Sequence, residues 1–380
     1  MSSMLKTNFN DPLTSYTGLP NPDKAIQTFR VENYPGIISA VNQLTYDTVE
    51  VVVKYQGDAF IMAQAGQYGT LKVNGIDRAR AYSFAKSPHL ENKSEVTFFI
   101  RFVKGGEMSN WLQQQNRVGE QVIVGGPMGK FSLDTSNKTI VCIAGGSGMT
   151  GIKALVEQAA HDLLERDCLF FYGARTQDDL YCLDEMETVA RKWHPKHKFT
   201  FIPVLSREPE DSNWQGVRGR VTQHLKDQYL DKAQLSVKDI KAFFCGPPGM
   251  IDHGLSILKS AGLDDKDMFF DKFEDMSSPA PVINNAKCTL CDECLMVKPI
   301  ANCIVETGSH THSKGKTTTQ PVMPGLTSGL YYNTLFINSD SCIRCYACVD
   351  ACPHDAISSS NSTIPNILRQ LSETSSTLSS

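Results

Sequence analysis

Toward the end of the chain, "CIRCYACVDACPHDAI" sets Cys342, Cys345, Cys348 and Cys352 at C-x2-C-x2-C-x3-C, with Pro353 directly after. No other stretch limits the fold so tightly. Three thiolates two residues apart wrap one cluster in a tight loop while the fourth points away to a neighbouring cluster, which is the spacing that holds 4Fe–4S centres. Upstream, "CTLCDECLMVKPIANC" repeats the spacing with Cys288, Cys291 and Cys294, then reaches Cys303 after eight intervening residues. Crossed ligation follows: one cluster on Cys288, Cys291, Cys294 and Cys352, the other on Cys342, Cys345, Cys348 and Cys303. Zinc and structural disulfides are the rival readings, but zinc pairs two C-x2-C knuckles and does not take three cysteines in one run before Cys-Pro. Cys303 departs from the pattern because it sits late and no proline follows it. His310 and His312 read as solvated loop residues, and no ligand role is expected of them or of His354.

Eight of the twelve cysteines fall between Cys288 and Cys352, and the other four (Cys142, Cys168, Cys182, Cys245) are scattered. That distribution points to metal ligation in a reducing compartment rather than to a disulfide framework. A net charge of -4 and the lack of any Lys/Arg run speak against nucleic acid as a partner. No apolar stretch approaches the length of a membrane span. The first residues lack the apolar core of a secretory signal and carry Asp11 and Asp23, so the cytosol is the default location, with a mitochondrion-related organelle left open.

The 380 residues have room for several domains, and the texture changes in step with that. Residues 1–28, with Pro12, Pro20 and Pro22, read as an extended arm. From 29 to 135, short β-branched and aromatic runs such as "TVEVVVKY" and "EVTFFIRFV" alternate with Gly, Asn and Asp turns, which predicts an antiparallel β-barrel. From 136 to 276 the rhythm is strand then helix, predicting an α/β domain on a parallel sheet. The Ser/Pro-rich 277–286 reads as a linker, and 287–360 as a small α+β domain built round the cysteines. Within it "GSHTHSKGKTTTQPVMPGLTSG", which is poor in apolar residues, reads as a loop. The Ser/Thr-rich 361–380 reads as a disordered tail. The fold class is thus multidomain.

Two turns in the middle domain bear on ligands. "AGGSGMTGI" places Gly146, Gly148 and Gly151 at G-x-G-x-x-G, directly after a strand and opening a helix, where backbone N–H groups and the helix dipole favour a pyrophosphate. "FFCGPPGM" ends another apolar run at Cys245-Gly246, on the carboxyl edge where open α/β sheets bind ligands. No acidic residue closes the strand "CLFFYGAR"; Arg175 does, and Ser206-Arg207 closes the next. An arginine there meets a 2′-phosphate, which leans the reading to NADPH over NADH. In the barrel, Arg80-Ala81-Tyr82-Ser83 combines a cation for phosphate, a ring to cover a flat cofactor and a hydroxyl for a ring nitrogen.

Gly66-Gln67-Tyr68, Arg80-Ala81-Tyr82-Ser83, Gly105-Gly106-Glu107-Met108-Ser109, Gly126-Pro127-Met128-Gly129, "AGGSGMTG" and "CGPPGM" occur in the order found in the ferredoxin–NADP reductase superfamily. The body of the chain resembles that family over about Phe29 to Glu274, the cytochrome-b5 reductase and nitrate reductase branch most. The last domain resembles a two-cluster bacterial ferredoxin. The resemblance implies that Arg80 binds the FAD pyrophosphate, Tyr82 lies against the isoalloxazine and Ser83 hydrogen-bonds near N5. It implies that Gly106, Met108 and Ser109 hold the pyrophosphate, that Gly146, Ser147 and Thr150 face the nicotinamide nucleotide, and that Cys245 and Gly246 meet its nicotinamide end. Asp271-Lys272-Phe273-Glu274 resembles the closing strand, whose end, at Glu274, lies close to the flavin. Relatives with fused iron–sulfur partners often carry 2Fe–2S, so the tail departs from the family.

The expected function is therefore an FAD oxidoreductase of ferredoxin reductase type, taking electrons from NADPH or NADH and passing them through two 4Fe–4S clusters to a redox partner protein. Ser83 and Cys245 would tune and orient the chemistry, and Arg207 would contact the nucleotide. Two alternatives stay open: the same wiring run backwards onto NAD(P)+, and a non-catalytic wiring subunit of a larger complex.

Overall fold

Period-two burial along the first runs builds a barrel. In β2 (Thr48–Tyr55) Val49, Val51 and Val53 turn inward, as alternate residues of a strand must when one face is a core. The computed structural model describes residues 31–273, 280–299, 303–311, 317–321, 332–339 and 341–358. The expected arm (1–28), Glu274, His312 and the tail 361–380 lie outside the described residues. With β2 stand β1 (Glu32–Thr45), β3 (Tyr68–Val73), β4 (Arg80–Ser83), β5 (Glu95–Arg101) and β6 (Gln121–Met128), all antiparallel in the order β4-β3-β6-β1-β2-β5. A bridge between Phe84 and Phe98 brings the two outer strands together and nearly closes the barrel. Helix α1 (Glu107–Gln114) plugs one end, burying Met108, Trp111 and Leu112 at the i, i+3, i+4 spacing of one helical face.

The second domain is a wholly parallel sheet in the order β10-β9-β8-β7-β11-β12. Its strands are β7 (Thr139–Gly145), β8 (Cys168–Ala174), β9 (Phe199–Leu205), β10 (Val217–Arg218), β11 (Ile240–Gly246) and β12 (Met268–Lys272). Its helices are α2 (Met149–His161), α3 (Leu183–Lys192), α4 (Val221–His224) and α5 (Pro248–Ser260). The central strand shows why its sequence is apolar without a break. Ile140, Cys142 and Ala144 pack with α2 and α3, whereas Val141 and Ile143 pack with α4 and α5. A strand covered on both faces has no polar side to show. Chain order reverses beside β7, so the crevice between the carboxyl ends of β7 and β11 is the switch point where such sheets take ligands.

The cysteine-bearing region folds as two layers of short elements. β13 (Val282–Ile283) pairs antiparallel with β17 (Ile357–Ser358), and the helices α6 (Glu293–Met296) and α7 (Ala347–Ala351) carry the third cysteine of each run, Cys294 and Cys348. β14 (Ile304–Thr311), β15 (Thr317–Pro321) and β16 (Tyr332–Ile337) form a three-stranded antiparallel sheet in the order β15-β14-β16. Two expectations give way here. Much of the stretch read as a loop is β-sheet, because backbone pairing needs no apolar side chains. The stretch read as a linker contains β13, fixed by its partner seventy-odd residues on. Among the described residues no helix is long and apolar enough to cross a membrane.

Candidate functional site

The two flavin-associated motifs meet on the outside of the barrel. The Arg80 guanidinium pairs with Glu107, the first residue of α1, and donates to the Arg78 carbonyl at 2.9 Å. Gly106 is the N-cap and no side chain caps the helix, so the free N–H groups of its first turn lie beside a cation, a donor set suited to a diphosphate. Glu107 is largely exposed and free to swing off Arg80. Met108 and Ser109 point the other way: Met108 is in the barrel core, and the Ser109 hydroxyl accepts the Val103 N–H at 2.8 Å. Their side chains brace the turn, leaving its backbone to face a ligand. Tyr82 is half-buried with its ring 6.2 Å from Phe98, and burial pushes its phenol up, so it stays neutral.

At the switch point the two glycine turns interlock. A Cβ on Gly148 would lie 1.9 Å from the Cys245 carbonyl oxygen, so only glycine lets β7 and β11 end side by side. Thr150 donates to the Ser147 carbonyl at 2.8 Å and Tyr181 to the Gly146 carbonyl at 3.2 Å, which holds the turn open toward a cavity of about 350 Å³. Gly146, Ser147, Arg101, Arg175, Arg220 and Pro247 line it. Arg175 is engaged: it donates to Asp47 at 2.9 Å and to Asp179 and Tyr46. Those two carboxylates are held below the usual range mainly by their bonds to arginine, Arg101 with Arg175 for Asp47 and Arg175 for Asp179, against the effect of burial. Arg207, expected at the nucleotide, is exposed and is not among the residues lining the cavity. Arg220, which lines it, makes no ion pair among the described residues.

Between these two places stands a cluster drawn from three strands. Ser83, ending β4, donates to Asp271 at 3.2 Å, and the Cys245 thiol ending β11 lies 3.9 Å from the same carboxylate oxygen. Asp271 sits opposite Cys245 in the β11–β12 ladder. Burial pushes the Asp271 carboxyl up to about 7, and Asp350 adds to the rise while Ser83 and Cys245 oppose it. Burial and the nearby Asp271 also push the Cys245 thiol well up, so it is an un-ionised sulfur and not a nucleophile.

The cysteine region docks on this cluster. Tyr68, cross-strand partner of Ser83, donates its hydroxyl to the Cys345 carbonyl and packs with Met128 and Ala347. Gly129 makes room for the ring, since a Cβ there would sit 2.7 Å from it. Asp350 on α7 is pushed up to about 6 by burial, with Lys130 opposing. Cys288, Cys291, Cys294 and Cys352 line one cavity, together with His354. Cys303, Cys342 and Cys348 lie close to Cys345, and burial, with this crowding of thiols adding to it, pushes the Cys345 and Cys348 thiols up. Cys303 reaches this group because β14 begins beside it and its carbonyl accepts the Asn338 N–H at 2.9 Å, next to Cys342. Both Cys runs adopt one backbone: Leu290 and Asp292 in the first, Arg344 and Tyr346 in the second, all have φ between 56° and 63°. Four non-glycine residues in the left-handed region, at matched positions, is a conformation adopted for the sake of the thiols. An all-thiol donor set in two groups of four suits iron–sulfur clusters.

Three parts of the chain match known protein families. Residues 36–133 match the oxidoreductase FAD-binding domain, 142–254 the oxidoreductase NAD-binding domain and 335–358 the 4Fe-4S binding domain. The xylene/toluene monooxygenase electron transfer component XylA of Pseudomonas putida is 37% identical over 237 residues, 62% of this chain and 64% of that protein. The reductase component of propane 2-monooxygenase from Gordonia sp. (strain TY-5) is 31% identical over 247 residues, 64% of this chain and 67% of that protein. The chain thus spans about two thirds of the length of these relatives. The crystal structure of the Amycolatopsis cytochrome P450 reductase GcoB superimposes with a TM-score of 0.56 at 26% identity, covering 64% of this chain and 70% of that one.

The chain belongs to the ferredoxin–NADP reductase superfamily. As a member it carries FAD-binding and NAD-binding domains, joined here to a 4Fe–4S domain. The reductase residues that sequence reading missed are Asp271, Tyr68 and Arg220. Glu274, the other acid of "DKFE", lies outside the described residues, and Asp271 is placed against Cys245 by strand register, which the motif does not show. Tyr68 stood in a recognised motif without a role, since its partner is a main-chain carbonyl 277 residues away.

Proposed function

We propose that this protein transfers electrons from a nicotinamide nucleotide through FAD to two 4Fe–4S clusters and on to a protein acceptor. When bound, FAD takes two electrons from the nicotinamide and the clusters carry them one at a time. The observation that supports this best is continuity. The Gly146–Gly148 turn at the nucleotide cavity, Cys245, Asp271, Ser83, Tyr68 and Cys345 follow one another in contact or cross-strand register. Arg80 and the start of α1 would hold the diphosphate of FAD, Tyr82 would cover its ring, and Ser83 with Asp271 would set a polar edge at the reacting end. Gly146, Ser147, Gly148, Thr150 and Gly246 would shape the seat of the nucleotide, and Cys245 would bound its nicotinamide end, excluding water. The eight cysteines from Cys288 to Cys352 would ligate the clusters in the crossed pattern.

NADH is favoured as donor. Of the arginines expected to meet a 2′-phosphate, Arg175 is engaged by two carboxylates and Arg207 is absent from the cavity lining; Arg220, on the lining and in no ion pair among the described residues, is the residue that would serve NADPH instead. The crowding of eight of the twelve cysteines between Cys288 and Cys352 suits metal ligation in a reducing compartment such as the cytosol. Names of the relatives suggest an oxygenase as acceptor.

Anaerobically purified full-length protein tests this. It is expected to contain about eight iron and one flavin per chain, and NADH is expected to bleach the flavin faster than NADPH. Zinc in place of iron defeats the cluster assignment. Flavin that neither nucleotide bleaches leaves the non-catalytic wiring subunit as the better reading, and faster bleaching by NADPH overturns the donor preference.

A further inference from the structure

The two cysteine groups occupy different places relative to the reductase body. Cys345 gives its carbonyl to Tyr68, and it packs with Ala347, Tyr68, Met128 and Ala81 in one apolar seam. Asp350, two residues past Cys348 in α7, lies near Lys130 of the barrel and Asp271 of the sheet. Among the described residues, the cavity of Cys288, Cys291, Cys294 and Cys352 is lined by residues 283–357 alone, none of them from the barrel or the parallel sheet. Cys291 is exposed, as are Leu290 and Met296 beside it. Between the groups runs α7, a single five-residue helix with Cys348 on its first turn and Cys352 just past its end. Five residues of helix rise only about 7 Å, so the two groups are near neighbours.

On the reading given above, we propose that the clusters work in a fixed series. The cluster on Cys303, Cys342, Cys345 and Cys348 is the inlet, coupled to the flavin side through Tyr68, and the cluster on Cys288, Cys291, Cys294 and Cys352 is the outlet to the acceptor. Tyr68 is a positioning residue: its hydroxyl pins the Cys345 loop against β3, directly opposite Ser83 in the ladder. Oxidation of one NADH to NAD+ releases one proton and two electrons. Each electron crosses the inlet and then the outlet and reduces one molecule of a one-electron acceptor, so two acceptors are reduced per NADH. The closeness of Cys345 to the flavin side and the exposure of Cys291 set the direction of this order within the chain.

The experiment uses full-length anaerobic holoprotein, with iron content, low-temperature EPR and cytochrome c as the acceptor probe. In Cys291→Ser, NADH is expected to bleach the flavin and still produce the EPR signal of the inlet cluster, while cytochrome c reduction falls at least tenfold. In Cys345→Ser, NADH should bleach the flavin but leave the outlet cluster oxidised, although dithionite reduces it. The opposite pattern, with outlet reduction surviving in Cys345→Ser and inlet reduction lost in Cys291→Ser, overturns the order. Tyr68→Phe supplies a measurement that does not depend on cluster assembly in the cysteine variants. It should keep full iron and an unchanged dithionite-reduced spectrum while NADH-driven cluster reduction slows about tenfold, and an unchanged rate overturns the inlet assignment. Failure of the underlying reading looks different: a parent protein with four iron, or with flavin that NADH does not bleach.

Discussion

Asp271 has its charge governed by neighbours that sequence distance conceals. Its carboxyl is raised to about 7 from the usual carboxylate range, first by burial, with Asp350 adding to the effect. An acid raised on folding binds more protons folded than unfolded between its two values, so stability falls as pH climbs from about 4 to 7. Asp271→Asn removes that loss. It is expected to raise stability more at pH 8 than at pH 5, by about 1–2 kcal/mol, less than full burial would give because the side chain is partly open. Urea midpoints of the holoprotein at the two pH values check this, and an equal shift at both would show that the charge is not the cause. The same residue illustrates the limit of motif reading. "DKFE" shows nothing of what Asp271 meets, because the register of that residue is set by the neighbouring strand β11.

Helix α2 carries more than a nucleotide turn. Behind the glycines, Lys153 and Glu157 form a buried ion pair at 2.6 Å, one turn apart on the same face. Lys153 also donates to the Ala85 carbonyl at 3.2 Å, and Glu157 accepts the Ser87 N–H at 3.1 Å. The pair therefore clamps the parallel-sheet domain to the barrel just beyond Ser83. Lys153→Met leaves a buried carboxylate with one hydrogen bond and is expected to cost about 3–5 kcal/mol. Lys153→Met with Glu157→Leu should recover most of it, since removing both charges removes the uncompensated one. Thermal or urea unfolding decides; a single variant as stable as the parent would mean the clamp is open in solution. In the sequence these residues read as one more amphipathic turn, because a polar pair on a buried face looks like a solvated pair until the partner domain is known.

For the molecule as a whole, stability is unevenly shared. The barrel and the sheet bury large aliphatic and aromatic cores. The cysteine region has a small one, made of Ile283, Ile304, Leu335 and Ile357 together with Cys294, Cys303 and Cys348. A core so small, with ligand thiols for much of its substance, depends on its metal as small metallo-domains do. Stripping iron anaerobically is expected to expose the backbone amides of β13, α7 and β17 to hydrogen exchange while those of β7 and β11 stay protected and NADH still bleaches the flavin. Unchanged protection of β13 and β17 in the iron-free protein would show that the region folds without clusters. Loss of flavin bleaching as well would show that the docked region supports the reductase body.

The domain kinds, their order and the chemistry of most ligands were legible in the chain alone. Strand texture, strand–helix rhythm, glycine turns and cysteine spacing are local signals, and each follows from backbone geometry within a few residues. The tertiary structure decided what depends on elements far apart in sequence meeting. It set Asp271 against Ser83 and Cys245, committed Arg175 to Asp47 and Asp179, and turned a polar stretch into paired strands β14 and β15. It also laid Cys345 on Tyr68. Those contacts are made by register and docking, which no single segment encodes, and they give the order in which the proposed redox centres stand.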